Sequence, residues 1–195
     1  MNGNQYTQKS MEAIQAAQRT AQEWGHQQLE AAHLLHALVN QKEGLIPQLL
    51  QKSGVAVQQM ANGAEKMLQK LPRVQVQGRE EGKVYVSAHL DKALNAAWFV
   101  YGTKKELKEQ GIVDERFLAK DRVLQNSDFN KDYFTQIDIR KDKIIKLHSK
   151  SAKLLTTHPD GSYEFIKDEK EQQVLLIEDP TEFWSVSRYL VIQVK

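Results

Sequence analysis

The sequence contains no cysteine among its 195 residues. This absence excludes disulfide bonds, zinc–thiolate sites and cysteine nucleophiles, and it leaves the cellular compartment open. An excess of one charge is also missing, because the formal net charge is only +2, which argues against nucleic acid or an anionic membrane as a partner. No apolar run approaches the ~20 residues that a membrane helix needs. The first residues lack the basic and apolar segments of a signal peptide, so we expect a cytoplasmic chain.

In the N-terminal part, apolar residues recur at three- and four-residue steps, a spacing that predicts helices. One face of the first helix consists of Met11, Ile14, Ala17, Ala21 and Trp24. Thr7 is its expected N-cap and Gly25 its expected end. Further helices are predicted over 33–39 and 46–52. In the fourth helix, the expected buried face consists of Val57, Met60, Ala64, Met67 and Leu71.

The residue composition of the chain changes twice after this helical part. Residues 75–82 form a polar, glycine-punctuated linker, and Ser87 is the expected N-cap of a helix over 88–97. We therefore predict a helical repeat over 1–74, a linker with the start of a truncated second repeat over 75–97, and a β-rich domain over 98–195.

The C-terminal part shows short β-branched and apolar runs separated by turn signals. Candidate strands cover 136–139, 143–148, 152–156, 163–166, 173–177 and 189–194. Short helices are expected after Thr103, which forms a capping box with Glu106, and after Asp179, which precedes a proline. The predicted fold class is α+β, with four helices followed by a small antiparallel sandwich or barrel.

The helical part carries a set of short motifs in a fixed order. They are Gly25-His26, His33-Leu34-Leu35, Ala37-Leu38, Gly44, Leu49-Leu50, Gly54-Val55, Leu71-Pro72-Arg73-Val74 and Val84-Tyr85-Val86-Ser87. Over residues 5–91 this order resembles the first repeat of the Clp N-terminal (Clp R) domain, and the last two motifs resemble the ClpB-type disaggregase branch of bacterial chaperones.

The Clp resemblance implies a non-catalytic, protein-binding function. In that family two four-helix repeats form a groove for apolar segments of unfolded or aggregated proteins, and the matching contact residues here are Thr7, Val84, Tyr85 and Leu90. No second Gly-His…His-Leu-Leu repeat follows Leu90, so the unpaired repeat face suggests a homodimer. No glycine-rich phosphate loop occurs, since the segment 102–104 lacks the upstream glycine, and the expected role is recognition without the ATPase or any cofactor.

The C-terminal part carries a second resemblance. Segments 94–107, 128–134, 151–159 and 183–185, with Ala97-Trp98-Phe99-Val100-Tyr101-Gly102 in the first, resemble the C-terminal domain of Bacteroidales cell-envelope proteins, some of them collagen-binding adhesins. This resemblance implies an envelope or adhesion-type interaction protein as the alternative function. Because the two families belong to different compartments, we interpret the chain as a chimera with its junction near 87–95.

Other residue patterns allow chemical interpretations that we consider weaker. His33 and His36 have the spacing of two metal ligands on a helix, but a core-edge histidine explains His33 and no third ligand is near. Ser151, His158 and Asp160 could be combined into a catalytic triad, yet the segment 158–161 is explained as a turn. Core packing of a small β-domain explains most of its aromatic residues better than a binding surface does; these residues are Trp98, Phe99, Tyr101, Phe134, Phe183 and Trp184. We therefore expect no enzyme activity and no metal site.

Overall fold

The computed structural model describes residues 6–73, 83–113 and 129–195. The chain divides into two compact units between Leu94 and Asn95. The predicted linker over 75–82 lies outside the described residues. The helical first unit and the β-rich second unit confirm the predicted fold class.

Five helices and two short strands lie in the described residues of the first unit. They are α1 (Gln8–Glu23), β1 (Gln28–Leu29), α2 (Ala31–Asn40), α3 (Leu45–Lys52), α4 (Val57–Gln69), β2 (Tyr85–Val86) and α5 (Ala88–Asn95). The predicted N-cap of α1 is confirmed, because the Thr7 hydroxyl accepts the Ser10 N–H at 3.2 Å. Gly25 follows the helix with φ 69°, a backbone angle that residues with a side chain rarely adopt.

Two helix predictions in this unit need correction. Ala64 is buried in α4 as predicted, but Ala61 and Leu68 are buried where the stripe predicted their neighbours Met60 and Met67, and Met67 is 52% exposed. The helix predicted over 88–97 ends at Asn95. There the chain enters a strand, because Ala96 and Ala97 are recruited into a sheet by distant residues.

Within residues 95–113 and 129–195, the second unit contains seven strands and two short helices. They are β3 (Ala96–Thr103), α6 (Lys104–Glu109), β4 (Thr135–Asp138), β5 (Ile144–Lys146), β6 (Ala152–Leu154), β7 (Tyr163–Lys167), β8 (Gln173–Ile177), α7 (Pro180–Phe183) and β9 (Tyr189–Val194), with a 3-10 helix over Lys131–Tyr133. All six predicted strands and both predicted helices are present. The sequence did not predict β3.

The described strands of this unit form two sheets that share one buried cluster, and a second buried cluster includes Val100, Leu107 and Val191. The four-stranded sheet has the order β4-β3-β9-β6, and the three-stranded sheet has the order β5-β8-β7. Residues from both sheets share one buried cluster, which includes Ala97, Ile145, Leu175, Leu190 and Ile192. Most pairings are antiparallel as predicted, but β3 and β9 pair in parallel. The sheets therefore form a small sandwich in which one pairing departs from the expected antiparallel pattern.

Both short helices of this unit begin with the predicted caps. The Thr103 hydroxyl accepts the Glu106 N–H at 3.3 Å, and the Thr103 N–H donates to the Glu106 carboxylate at 2.7 Å. Asp179 accepts the N–H groups of Thr181 at 2.9 Å and Glu182 at 3.1 Å. Such side-chain bonds satisfy backbone donors that a helix leaves unpaired at its start.

Candidate functional site

Strands β1 and β2 lie side by side in parallel and join α5 to the rest of the helical unit. The Tyr85 N–H donates to the Gln27 carbonyl at 3.1 Å, and the Ser87 N–H donates to the Leu29 carbonyl at 3.1 Å. Each strand leads directly into a helix, β1 into α2 and β2 into α5. The unit thus contains the same strand–helix arrangement twice.

One carboxylate connects the starts of these two helices. The Ser87 hydroxyl donates to Glu30 Oε2 at 2.8 Å, and the Leu90 N–H donates to Ser87 Oγ at 3.1 Å, which confirms Ser87 as an N-cap. Glu30 also forms a capping box with His33. Hydrogen bonds to a charged, partly buried acceptor are stronger than neutral ones. The Glu30 side chain therefore connects the start of α2 to Ser87, the residue between β2 and α5.

Behind this connection two buried histidines contact each other. His26 is 4% exposed and His33 is fully buried, and the distance between His26 Nδ1 and His33 Nε2 is 2.8 Å. The Glu30 N–H donates to His33 Nδ1 at 3.0 Å. His33 Nδ1 is consequently an acceptor, so the proton of neutral His33 is assigned to Nε2 and is donated to His26.

This chain of donors requires both imidazoles to be neutral. Burial lowers the pKa of His26, and the charge of Arg73 lowers it further. Burial is also the main cause that lowers the pKa of His33, followed by the neighbouring His26. The assigned tautomer puts the remaining proton of His26 on Nε2, a buried atom without a hydrogen-bond partner in the described part of the chain.

The four predicted contact residues have different environments. Tyr85 is 67% exposed on β2, and Val84 is half-buried against the core of the helical unit. Thr7 is exposed but caps α1. Leu90 is 2% exposed, so its side chain packs in the core of the helical unit and is not itself available for contact with a partner.

The structure does not bring Thr7 and Tyr85 together. Thr7 precedes α1, and Tyr85 bonds to Gln27, which follows α1. The helix has 16 residues, a length of about 24 Å. An extended segment of about seven residues would be needed to touch both ends.

An apolar surface that the sequence did not single out lies on α3. Leu45 is 66% exposed and Leu49 is 46% exposed, and their spacing of four residues puts them on one face of the helix. The Gln41 side chain donates to the Lys9 carbonyl at 2.9 Å, which puts the start of α3 near the Thr7 end of α1. The spacing was visible in the sequence, but only the packing showed that no residue of this helix is buried.

The geometry explains the candidate metal and triad residues as structural. Both ring nitrogens of His33 already have hydrogen-bond partners, and no group of three metal-binding side chains lies within residues 6–73, 83–113 and 129–195. His158 Nδ1 lies 2.8 Å from the Phe183 carbonyl and its Nε2 lies 3.1 Å from the Thr156 hydroxyl. Both ring nitrogens of His158 are thus engaged in hydrogen bonds that stabilise the turn over 158–161, and neither of them bonds to Ser151.

The segment 102–104 has the strand-to-helix position of a phosphate loop but a different chemistry. The Thr103 N–H and hydroxyl both donate to Glu106 Oε2, at 2.7 and 2.8 Å. A carboxylate thus takes the donors that a phosphate would need. We find an ordinary capping box here.

Comparison with known protein families supports the Clp resemblance of the helical unit. The model of the Clp repeat (R) N-terminal domain family matches residues 5–119, more than half of the chain. The match passes residue 91, where the sequence motifs end, and includes β3 and α6 of the second unit. The similarity is therefore longer than the motifs indicated.

No helix among the residues with described placement is long and apolar enough to cross a membrane.

Several curated chaperones are similar over both units. ClpB of a Bacillus cereus strain is 30% identical over 175 residues, which cover 86% of this chain and 19% of the relative. ClpB 2 of a Nostoc species is 29% identical over 169 residues, covering 85% of this chain and 18% of the relative. The chain thus spans about a fifth of the length of these relatives. On the strength of the family match, the chain belongs to the Clp repeat N-terminal domain family.

Proposed function

We propose that this chain recognises exposed apolar segments of unfolded or aggregated proteins through its helical unit, without catalysing a reaction itself. The observation that carries the proposal is Tyr85, a large aromatic side chain that is 67% exposed although its backbone is held by the pairing of β2 with β1. A rigid, exposed aromatic group binds apolar partners at a low entropic cost. The family match supports a binding role, since the relatives are named chaperones.

A second part of the proposed surface lies at the other end of α1. Leu45 and Leu49 are exposed there on one face of α3, near the end that Thr7 caps. Contiguous exposed apolar side chains mark interaction sites more often than single ones do. The proposed surface therefore has two apolar positions, Tyr85 with Val84 at one end and the α3 leucines at the other.

A binding assay with an unfolded model protein tests this proposal. Fluorescein-labelled, reduced and carboxymethylated α-lactalbumin is titrated with the full chain, and fluorescence anisotropy is recorded. We expect saturable binding that Tyr85→Ser and the double variant Leu45→Ser with Leu49→Ser each weaken by about tenfold. Val186→Ser, which changes a residue with 62% exposure in the β-rich unit, is the matched control and should bind as the wild type does.

Two outcomes would contradict the proposal. The proposal would be wrong if the full chain at about 1 mM did not bind the unfolded protein. Equal weakening by Val186→Ser would show a general stickiness instead of a defined surface. Sedimentation at the same concentrations measures whether the chain forms the homodimer that an unpaired repeat face favours.

The alternative is an adhesion-type interaction protein whose function depends on the β-rich unit. It rests on the resemblance of segments 94–107, 151–159 and 183–185 to the Bacteroidales envelope domain, and this unit has a core cluster built from both of its sheets. In the same assay with an extracellular matrix protein such as collagen as the labelled ligand, saturable binding unaffected by Tyr85→Ser would support the alternative.

A further inference from the structure

A cleft of about 440 Å³ opens in the β-rich unit. Its lining includes Phe99, Tyr101, Tyr133, Ile137, Ile144 and Lys146. The rings of Phe99 and Tyr101 are nearly parallel, with an angle of 9° between their planes. Tyr133 is 39% exposed and Ile144 is 60% exposed. The cleft thus combines an aromatic floor with an apolar rim that faces solvent.

One wall of the cleft is an edge of β3 that β4 leaves uncovered. β4 pairs with β3 only from Ala96 to Phe99, whereas β9 pairs with β3 as far as Thr103. Alternate residues of a strand bond to opposite neighbours. The Trp98 N–H donates to the Arg188 carbonyl beside β9, so the Tyr101 backbone faces the opposite side, towards the cleft.

The other wall is β5, the outermost strand of the three-stranded sheet. On its inner side the Lys143 carbonyl accepts the Ile177 N–H at 2.8 Å, and the Leu147 N–H donates to the Gln173 carbonyl at 3.1 Å. By the same alternation, the backbone groups of Ile144 and Lys146 face outward. Such an edge is a template for pairing with another strand.

The charges at this edge favour an acidic partner. Lys141, Lys143 and Lys146 are all exposed beside it. Three carboxylates near these lysines are engaged locally. Asp138 accepts two hydrogen bonds from the Arg140 guanidinium, and Asp142 accepts the Asp138 N–H at 2.8 Å. Asp168 accepts the N–H groups of Gln172 and Lys170, and these bonds, together with the charge of Lys146, lower its pKa. Lysines therefore supply the positive charge that a partner segment meets at the rim.

We propose that this cleft binds an extended acidic peptide segment of a partner protein, which adds as a strand to the free edge of β5. Main-chain hydrogen bonds to Ile144 and Lys146 supply affinity, and alternate apolar side chains of the segment enter the cleft over Phe99 and Tyr101. Acidic side chains between them meet the lysines. The site is separate from the helical surface and does not depend on it.

The test uses the full chain and three fluorescein-labelled eight-residue peptides, in which valine, isoleucine or phenylalanine alternates with aspartate. We expect at least one peptide to bind, and Ile144→Glu, which removes the apolar contact and repels aspartate, to weaken its binding by about tenfold. Ile166→Glu is the matched control, because Ile166 is 40% exposed on β7, at the opposite edge of the same sheet. This control should bind as the wild type does. Circular dichroism verifies that both variants are folded.

Modified peptides separate strand addition from simple apolar contact. N-methylation of alternate peptide nitrogens removes the main-chain donors, and replacement of aspartate by lysine reverses the charge. Both changes should abolish binding. Amide exchange measured by NMR should slow at Ile144 and Lys146 when the peptide binds.

Several results would overturn the proposal. These are no binding of any of the three peptides at about 1 mM, equal affinity for Ile144→Glu, or equal affinity of the N-methylated peptide. Concentration-dependent self-association that Ile144→Glu abolishes would instead identify a second copy of this chain as the occupant.

Discussion

The Nδ1 atom of His26 and the Nε2 atom of His33 lie 2.8 Å apart within the core of the helical unit. His33 also accepts the N–H of Glu30, and the Glu30 carboxylate accepts the hydroxyl of Ser87. These bonds form a continuous path from the end of α1 to the start of α5. Protonation of either imidazole would leave two donors facing each other somewhere along this path.

We predict that the helical unit loses stability as the pH falls below 6.5. The pKa values of His26 and His33 are both lowered from 6.5 in the folded chain, so the unfolded chain binds more protons just below that pH. The free energy of unfolding therefore decreases from pH 6.5 down to the folded pKa values. Urea unfolding followed by circular dichroism at 222 nm, between pH 7.5 and 5, measures this change in helix.

An exposed histidine supplies the control for this experiment. His89→Gln, in the exposed part of α5, should keep the pH dependence of the wild type. An unfolding midpoint that does not change between pH 7.5 and 5 would contradict the assigned tautomers.

Removal of the Ser87 hydroxyl should destabilise the junction of β2 and α5. Ser87→Ala loses the cap of the Leu90 N–H and the bond to Glu30, and we expect a loss of about 1–2 kcal/mol. Ser87→Thr keeps both bonds and should recover most of it. Ser53→Ala, at an exposed helix end, should change stability by less than about 0.5 kcal/mol. Urea unfolding measures all three variants.

Substitutions of Tyr85 and Leu90 should have different effects, the first on the binding of unfolded protein and the second on stability. Tyr85→Ala is expected to weaken binding of unfolded protein while stability stays the same, because the side chain is 67% exposed. Leu90→Ala leaves a cavity in the core and should cost about 2–5 kcal/mol of stability. If Leu90→Ala instead weakened binding at full stability, Leu90 would have to reach the surface.

The turn between β4 and β5 should keep its charge pair to low pH. The Arg140 side chain, through its hydrogen bonds, lowers the pKa of Asp138 to about 2. Stability from this pair is present above pH 3.8 and is lost as the pH falls towards 2. An NMR titration of the Asp138 carboxyl carbon should give a midpoint near this value in the wild type. In Arg140→Gln the midpoint should rise, and an unchanged midpoint would assign the shift to another group.

Much of the helical unit could be predicted because its signals are local. The Thr7 cap, the end at Gly25 and the stripe of alanines on α1 each depend on residues within one or two turns. Part of the face of α4 was misplaced by one position, since Ala61 and Met60 are both apolar and only the packing against α2 selects between them. Tyr85 was identified by resemblance, whereas the exposure of Leu45 was not predicted.

Strand β3 shows where local reasoning fails. Ala96 and Ala97 follow a helical pattern and favour helix by propensity. Their pairing with β4 and β9 overrides that preference, because it buries Ala97 completely in a core formed by residues up to a hundred positions away. No local pattern contains this information.

The sequence by itself determined the class of each unit, most helix and strand bounds, the caps and the family. These features depend on hydrogen bonds and apolar periodicity within a few residues. The tertiary structure decided the parallel pairing of β3 with β9, the contact between His26 and His33, the burial of Leu90 and the free edge of β5. The histidine contact joins residues only seven positions apart, but the turn that brings them together is set by packing. The other features depend on segments that are distant in the chain, whose meeting is decided by the packing of the whole unit.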